Sequence, residues 1–170
     1  MSFTIRSMTL TDLIAIEHIQ AEAYAGYFLE SAEVIAQRFQ LSPTTAWVAE
    51  RDNKVCAYLV GYWSKVGKIN PLNAPFVLVE NANCLYLHDL ALLKVAQGFG
   101  VGKKFIRAAT EHALKNSAQA LALLSVQNSK EFWQGFGFSE FVELEKIQLE
   151  NLNTYLDGND AAFYMVKSLL

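Results

Sequence analysis

Apolar and polar positions change their period several times along the chain, and each change marks an element. Residues 3–6 alternate like a short strand, after which Thr9, Thr11 and Asp12 offer side-chain oxygens to cap a helix through residues 13–19. Ser31 caps a second helix that carries Val34, Ile35, Gln37, Arg38 and Phe39. It closes at Ser42-Pro43, because the residue before a proline disfavours the helical region. Between the two helices, residues 24–30 form an aromatic-rich loop. Residues 46–50 and 55–63 read as strands joined across residues 51–54, where Asp52-Asn53 suits a tight hairpin turn, so their pairing is antiparallel. Residues 64–83 contain Gly67, Pro71 and Pro75 and exceed the roughly 12–15 residues of an ordinary connection, which makes them a candidate lid.

A mostly apolar run over residues 84–93 has strand length and is followed by Gly98, Gly100 and Gly102 and a helix over residues 101–115. Residues 120–126 supply another apolar strand, a short helix over 130–134 ends at Gly135 and Gly137, and residues 140–150 and 161–166 read as closing strands. This order predicts one domain over residues 1–170, of mixed α/β (α+β) class. Its central strand–glycine loop–helix–strand crossover is right-handed, with the two strands parallel.

Composition agrees with a single core. Of 170 residues 52% are hydrophobic and 18% charged, and a domain of about 150 residues buries about 68–70% of its unfolded surface. The net charge of −3 leaves no global positive field for a nucleic-acid backbone, which sets nucleic acid aside as a partner. Cys56 and Cys84 stand singly in apolar runs, the pattern of buried thiols and not of a metal site. The first residues lack a basic segment ahead of a long apolar stretch, and no apolar run reaches the ~18 residues of a membrane span. The expectation is a cytoplasmic protein with no membrane partner.

Three glycines at alternate positions ahead of a helix expose several backbone N–H groups at the positive end of the helix dipole, an arrangement that cradles anions. Lys94, Lys103, Lys104 and Arg107 make a basic island around it, suited to several phosphates. A dinucleotide fingerprint is excluded because Lys103 stands where its third glycine belongs. A P-loop is excluded because Gly102-Lys103 is followed by Lys104 instead of Ser or Thr.

Gln97-Gly98-Phe99-Gly100-Val101-Gly102 resembles the Q/R-x-x-G-x-G/A signature of the GNAT superfamily of N-acetyltransferases, in the place where that family carries it. Leu90-Ala91-Leu92 is similar to the family's stretch whose backbone pairs with the pantetheine arm, and the segment from Asn128 through Phe132 and Trp133 to Phe138 is similar to its N…FY…GF segment. The resemblance implies a mixed, mostly antiparallel sheet whose central parallel strands splay apart to admit acetyl-coenzyme A (acetyl-CoA). The pyrophosphate then lies on the amides of residues 97–102 and Lys103, and the acetyl group passes directly to an amine with no metal. The tyrosine that the family uses to protonate the leaving thiolate corresponds here to Trp133, whose indole is no practical acid.

A base is needed to take the ammonium proton of the acceptor, and strict alternation would group Tyr86, His88 and Leu90 on one face and Leu85, Leu87 and Asp89 on the other. His88 is the first choice, since an imidazole titrates near neutral pH and arylalkylamine members of the superfamily carry histidines at the positions resembling Tyr86 and His88. Tyr86 and Asp89 are the other candidates, Asp89 reading mainly as a structural acceptor of hydrogen bonds. Tyr24, Tyr27 and Phe28, with Tyr62 and Trp63, are candidate walls of an acceptor pocket, while Glu22, Glu30 and Glu80 read as surface carboxylates and His18 and His112 as surface or boundary residues. The leading function is an N-acetyltransferase acting on a small-molecule or peptide amine. The alternatives are a non-catalytic coenzyme A-binding module and an acyltransferase with a different acyl donor. The apolar C-terminal strand is a candidate homodimer surface.

Overall fold

The computed structural model describes residues 2–24, 26–156, 158 and 161–170, and leaves the side chain of Tyr27 outside that description. In chain order the elements are β1 (Thr4–Ser7), α1 (Leu13–Ala23), α2 (Ala32–Leu41), β2 (Ala46–Arg51), β3 (Lys54–Ser64) and β4 (Cys84–Leu92). There follow α3 (Val101–Lys115), β5 (Ala120–Ser125), α4 (Lys130–Gln134), β6 (Ser139–Glu140), α5 (Lys146–Asn153) and β7 (Phe163–Ser168). Ser31 caps α2 as the sequence suggests, its hydroxyl accepting from Val34 N at 3.4 Å, whereas Asp12, the N-cap of α1, makes no side-chain bond to that helix and instead accepts from Thr9 N at 2.8 Å. Asp52 and Asn53 have φ of 52° and 60°, the left-handed pair that a tight hairpin requires.

Among the described residues the strands form one seven-stranded sheet in the order β1-β2-β3-β4-β5-β7-β6, with β4 and β5 parallel and the other pairs antiparallel. One face packs against α3, where Phe105, Ala109 and Ala113 meet Leu59, Leu85 and Leu121. On the opposite face Ile16 and Ile19 of α1 and Ile35 of α2 cover Val48 and Tyr58. Beside them an aromatic group of Tyr62, Phe76, Tyr86, Tyr155 and Tyr164 fills the space under the segment that follows β3.

One expectation is corrected. Residues 140–150 do not form a strand: β6 stops at Glu140 and α5 begins at Lys146. The helix turns polar side chains to structural use, since Gln148 Oε1 accepts from Ile69 N at 2.7 Å, Asn151 Nδ2 donates to Ile69 O at 2.8 Å, and Thr154 Oγ1 accepts from Leu72 N at 2.9 Å. These bonds, with Asn70 Nδ2 on the Tyr62 hydroxyl at 3.1 Å and the Tyr155 hydroxyl on Asn70 O at 2.9 Å, tie the 65–76 segment to α5 and to the aromatic group beneath it. No helix among the described residues is long and apolar enough to cross a membrane.

The feature that positions the site is the parting of β4 from β5. They pair from Cys84↔Ala120 to Leu87↔Leu123 and no further, although β4 continues to Leu92 and β5 to Ser125. At that point β4 also carries a bulge: Val60 pairs with Asp89 and Gly61 with Leu87, so His88 is the extra residue.

Candidate active site

The glycine loop between β4 and α3 has the backbone of an anion cradle. Gly98 and Gly100 have φ of +79° and +73°, a region that L side chains rarely adopt, and Gly100 is the N-cap of α3, whose first turn leaves N–H groups without intrahelical partners. A cleft of ≈ 720 Å³ opens in front of it, lined by Gly98, Gly100, Gly102, Lys94, Lys103 and Gln97, and by Phe132 from across the gap. The basic island is smaller than the sequence suggests, for Lys104 Nζ turns to Phe3 O at 3.2 Å and Arg107 pairs with Glu111 at 2.8 Å, leaving Lys94 and Lys103 at the cleft. Phe99 packs on Phe3 with centroids 5.6 Å apart and does not line the cleft, and the Val101 side chain is buried in the core.

The exposed edge of β4 leads from the cradle into the sheet. Leu93 N bonds Cys56 O at 3.0 Å, so by antiparallel alternation the main-chain groups of Ala91 face β3 while those of Leu90 and Leu92 face the gap. Gln97 Nε2 donates to Leu92 O at 3.2 Å and the Tyr24 hydroxyl lies 3.0 Å from Leu90 O, which leaves the two amide N–H groups as strand-edge donors. A channel of ≈ 240 Å³ continues between the parted strands, walled by Leu87, Leu124, Val126, Phe132 and Trp133 and reaching His88 and Asp89. Trp133 is 8% exposed and packs edge-on against Phe132 and Phe138. Asn128 is exposed, with φ of 58°, and Gln127 rather than Asn128 faces both cleft and channel.

The bulge overturns the predicted grouping of β4 side chains. Leu90 packs with Leu85 and Leu87 on the α3 face, while His88 and Asp89 both turn to the α1–α2 face, because the extra residue shifts the alternation by one. Asp89 accepts from the Tyr24 hydroxyl on one oxygen and from the Tyr58 hydroxyl on the other. Burial pushes its carboxyl up from the ordinary value, against the downward pull of both phenols. Tyr86 is 1% exposed and stacks on Tyr62 with centroids 5.1 Å apart. Burial holds its phenol well above the usual range, and its side chain is part of the core.

His88 does not stand alone. Its Nε2 lies 2.5 Å from Glu30 Oε1 and 2.6 Å from Arg38 Nη1, and Arg38 Nη1 donates to the same Glu30 oxygen at 2.6 Å. Burial would raise the Glu30 carboxyl, but His88 and Arg38 outweigh it and hold the group well below the carboxylate range. Glu30 is therefore no surface carboxylate: it is 8% exposed, whereas Glu22 and Glu80 are exposed as expected. The signal for this network was Arg38, which shares a helical stripe with Ile35 and Ser42. All three are buried, and a guanidinium on such a stripe needs a buried acceptor.

Of the expected pocket walls, Tyr24 and Phe28 come together around a cavity of ≈ 50 Å³ with Leu72, Leu124 and Tyr155, floored by His88, Asp89 and Glu30. Tyr62 is 2% exposed inside the aromatic stack. Trp63 lies on the opposite face, where it stacks on His112 at 5.6 Å, because adjacent residues on a strand point to opposite sides. The Tyr27 side chain lies outside the described residues.

Residues 13–138 match the profile of the Acetyltransferase (GNAT) family. Ard1 from Thermoplasma volcanium is 16% identical with a TM-score of 0.77, the match covering 100% of this chain and 99% of that one. The ribosomal-protein-S18-alanine N-acetyltransferase from Escherichia coli is 19% identical with a TM-score of 0.69, over 99% and 94% of the two chains. PaiA N-acetyltransferase from Thermoplasma acidophilum, solved in complex with coenzyme A, is 17% identical with a TM-score of 0.69, over 99% of each. No curated protein sequence matches the chain.

Proposed function

The chain belongs to the GNAT acetyltransferase family and is an acyltransferase of that type, and from this premise we propose that it moves the acetyl group of acetyl-CoA to a primary amine of a small molecule or peptide. The observation that carries the reading is the continuity of one path: the glycine cradle opens onto the free amides of Leu90 and Leu92, and these lead through the gap between β4 and β5 to His88 and Asp89. The residues fit the coenzyme. Positive-φ glycines and the first turn of α3 present N–H groups to the pyrophosphate, with Lys94 and Lys103 adding charge. The strand edge at Leu90 and Leu92 takes the pantetheine amides as an added strand.

Acetyl-CoA supplies the activated thioester. His88, at the inner end of the channel, takes the acceptor's ammonium proton, and Asp89 between two phenols places negative charge where that ammonium arrives. Trp133 shapes the channel wall without donating a proton to the departing thiolate. The test is release of free thiol from acetyl-CoA with a panel of phenethylamine, spermidine, lysine and a short peptide with a free N-terminus. Turnover is expected with at least one of them, and His88→Ala should lower it by roughly 10²- to 10⁴-fold while calorimetry shows unchanged acetyl-CoA affinity. Tight binding of acetyl-CoA with no thiol release from any amine would remove the amine-acceptor assignment.

A further inference from the structure

We propose that Glu30 is a positioning residue for His88, holding its imidazole at the inner end of the channel, and that Arg38 keeps this carboxylate in place; the inference rests on His88 being the group that takes the acceptor's proton. The side chains of His88, Glu30 and Arg38 are 4%, 5% and 6% exposed, so the three polar groups must satisfy one another. Nε2 of His88 lies 2.5 Å from Glu30 Oε1, an acceptor, and 2.6 Å from Arg38 Nη1, a donor, so this edge of the ring is held by the ion pair in either tautomer. Nδ1 is buried and, among the described residues, has no hydrogen-bond partner.

Glu30 is held from several sides. Its main chain exchanges two hydrogen bonds of 3.0 Å with the buried Gln20 side chain, and its second carboxylate oxygen accepts from Asn73 N at 2.9 Å. Arg38, besides its bond to Glu30, donates through Nη2 to Ala74 O at 3.0 Å, so the pair also ties the 65–76 segment to the bulge. The proton balance is simple. His88 takes one proton from the acceptor ammonium, and the free amine pair forms the C–N bond as the C–S bond breaks. The second amine proton goes to the departing sulfur, and His88 returns its own to solvent. Glu30 faces the imidazolium in between, as a carboxylate orients and stabilises a histidine base elsewhere.

The charged and titratable groups around the ring are Glu30 and Arg38 from α2 and the turn before it, Asp89 and Tyr86 on β4, Tyr58 and Tyr62 on β3, Tyr24 at the end of α1, and Tyr155 after α5. Steady-state kinetics with acetyl-CoA and the best amine of the panel would test the role in Glu30→Gln. In the paired variant Glu30→Gln with Arg38→Gln, neither charge of the buried ion pair is left alone. Both should lose about 10-fold or more in kcat, keep KM for acetyl-CoA within about two-fold, and show the acid limb of kcat/KM displaced from that of the wild type. Adding Glu30→Gln to His88→Ala should change kcat by less than about two-fold, since the carboxylate acts only through the ring. A folded paired variant with wild-type kcat and acid limb would overturn the proposal, as would losses that multiply fully in the double variant with His88→Ala. Wild-type kcat in His88→Ala itself would instead remove the base assignment on which the proposal stands.

Discussion

A Cβ on Gly61 would stand 2.6 Å from the carbonyl oxygen of Tyr86, closer than real Cβ atoms approach backbone oxygen. The two residues flank the bulge that throws His88 and Asp89 onto one face, and Gly61 is pinned there through Thr45, which accepts from its N–H at 2.9 Å and donates to its carbonyl at 2.7 Å. Gly61→Ala must therefore push β3 and β4 apart at the site. The expected outcome is a loss of about 1–3 kcal/mol in chemical denaturation, the usual range for overpacking, together with reduced turnover. A variant as stable and as active as the wild type would show that the bulge tolerates a wider spacing.

The cradle makes a separate prediction. At Gly100 a Cβ would meet nothing within 4 Å, but φ of +73° is strained for any β-branched residue. Gly100→Val should turn the loop amides away and weaken acetyl-CoA binding by about ten-fold or more, on the order of 1.4 kcal/mol by calorimetry. Gly100→Asn, which tolerates this region, should retain most of the affinity.

Trp133 tests the absence of an acid at that position. It is packed between Phe132 and Phe138 at the channel wall, so Trp133→Phe should keep most of the turnover with some loss of stability. A fall of ~100-fold in kcat at unchanged coenzyme affinity, the size of an acid–base contribution, would mean that the indole N–H takes part.

Acid sensitivity of the fold is expected from His112, which lies between Trp47 at 5.7 Å and Trp63 at 5.6 Å with Nε2 buried and, among the described residues, without a hydrogen-bond partner. Burial, aided by Lys115, lowers the imidazole from its ordinary value of 6.5. The unfolded chain then binds the proton more readily than the folded one, so stability falls as pH drops below about 6.5 toward the depressed folded value. His112→Phe should flatten that part of the stability profile in urea titrations between pH 7 and pH 5, taken at about half-unit steps. An equal decline in both proteins would assign the acid sensitivity elsewhere.

What the sequence determined by itself is local. The glycines ahead of α3, the Ser31 cap, the Asp52-Asn53 turn and the apolar runs of β4 and β5 each depend on neighbouring residues, whose steric and hydrogen-bonding preferences act within a few positions. The order of these elements was enough to expect the mixed sheet with its parallel crossover. Tertiary structure alone decided the face of His88 and Asp89, because a bulge depends on the partner strand and here on the close approach of Gly61 to Tyr86. It also decided that Glu30 is buried, since a carboxylate preceding a helix reads as solvated until Arg38 and His88 arrive from positions 8 and 58 residues away. α5 escaped the periodic signal for the same reason: no residue of it is buried, and its place is held by Gln148 and Asn151 bonding to the main chain of Ile69, a contact that exists only once the chain has folded over the sheet.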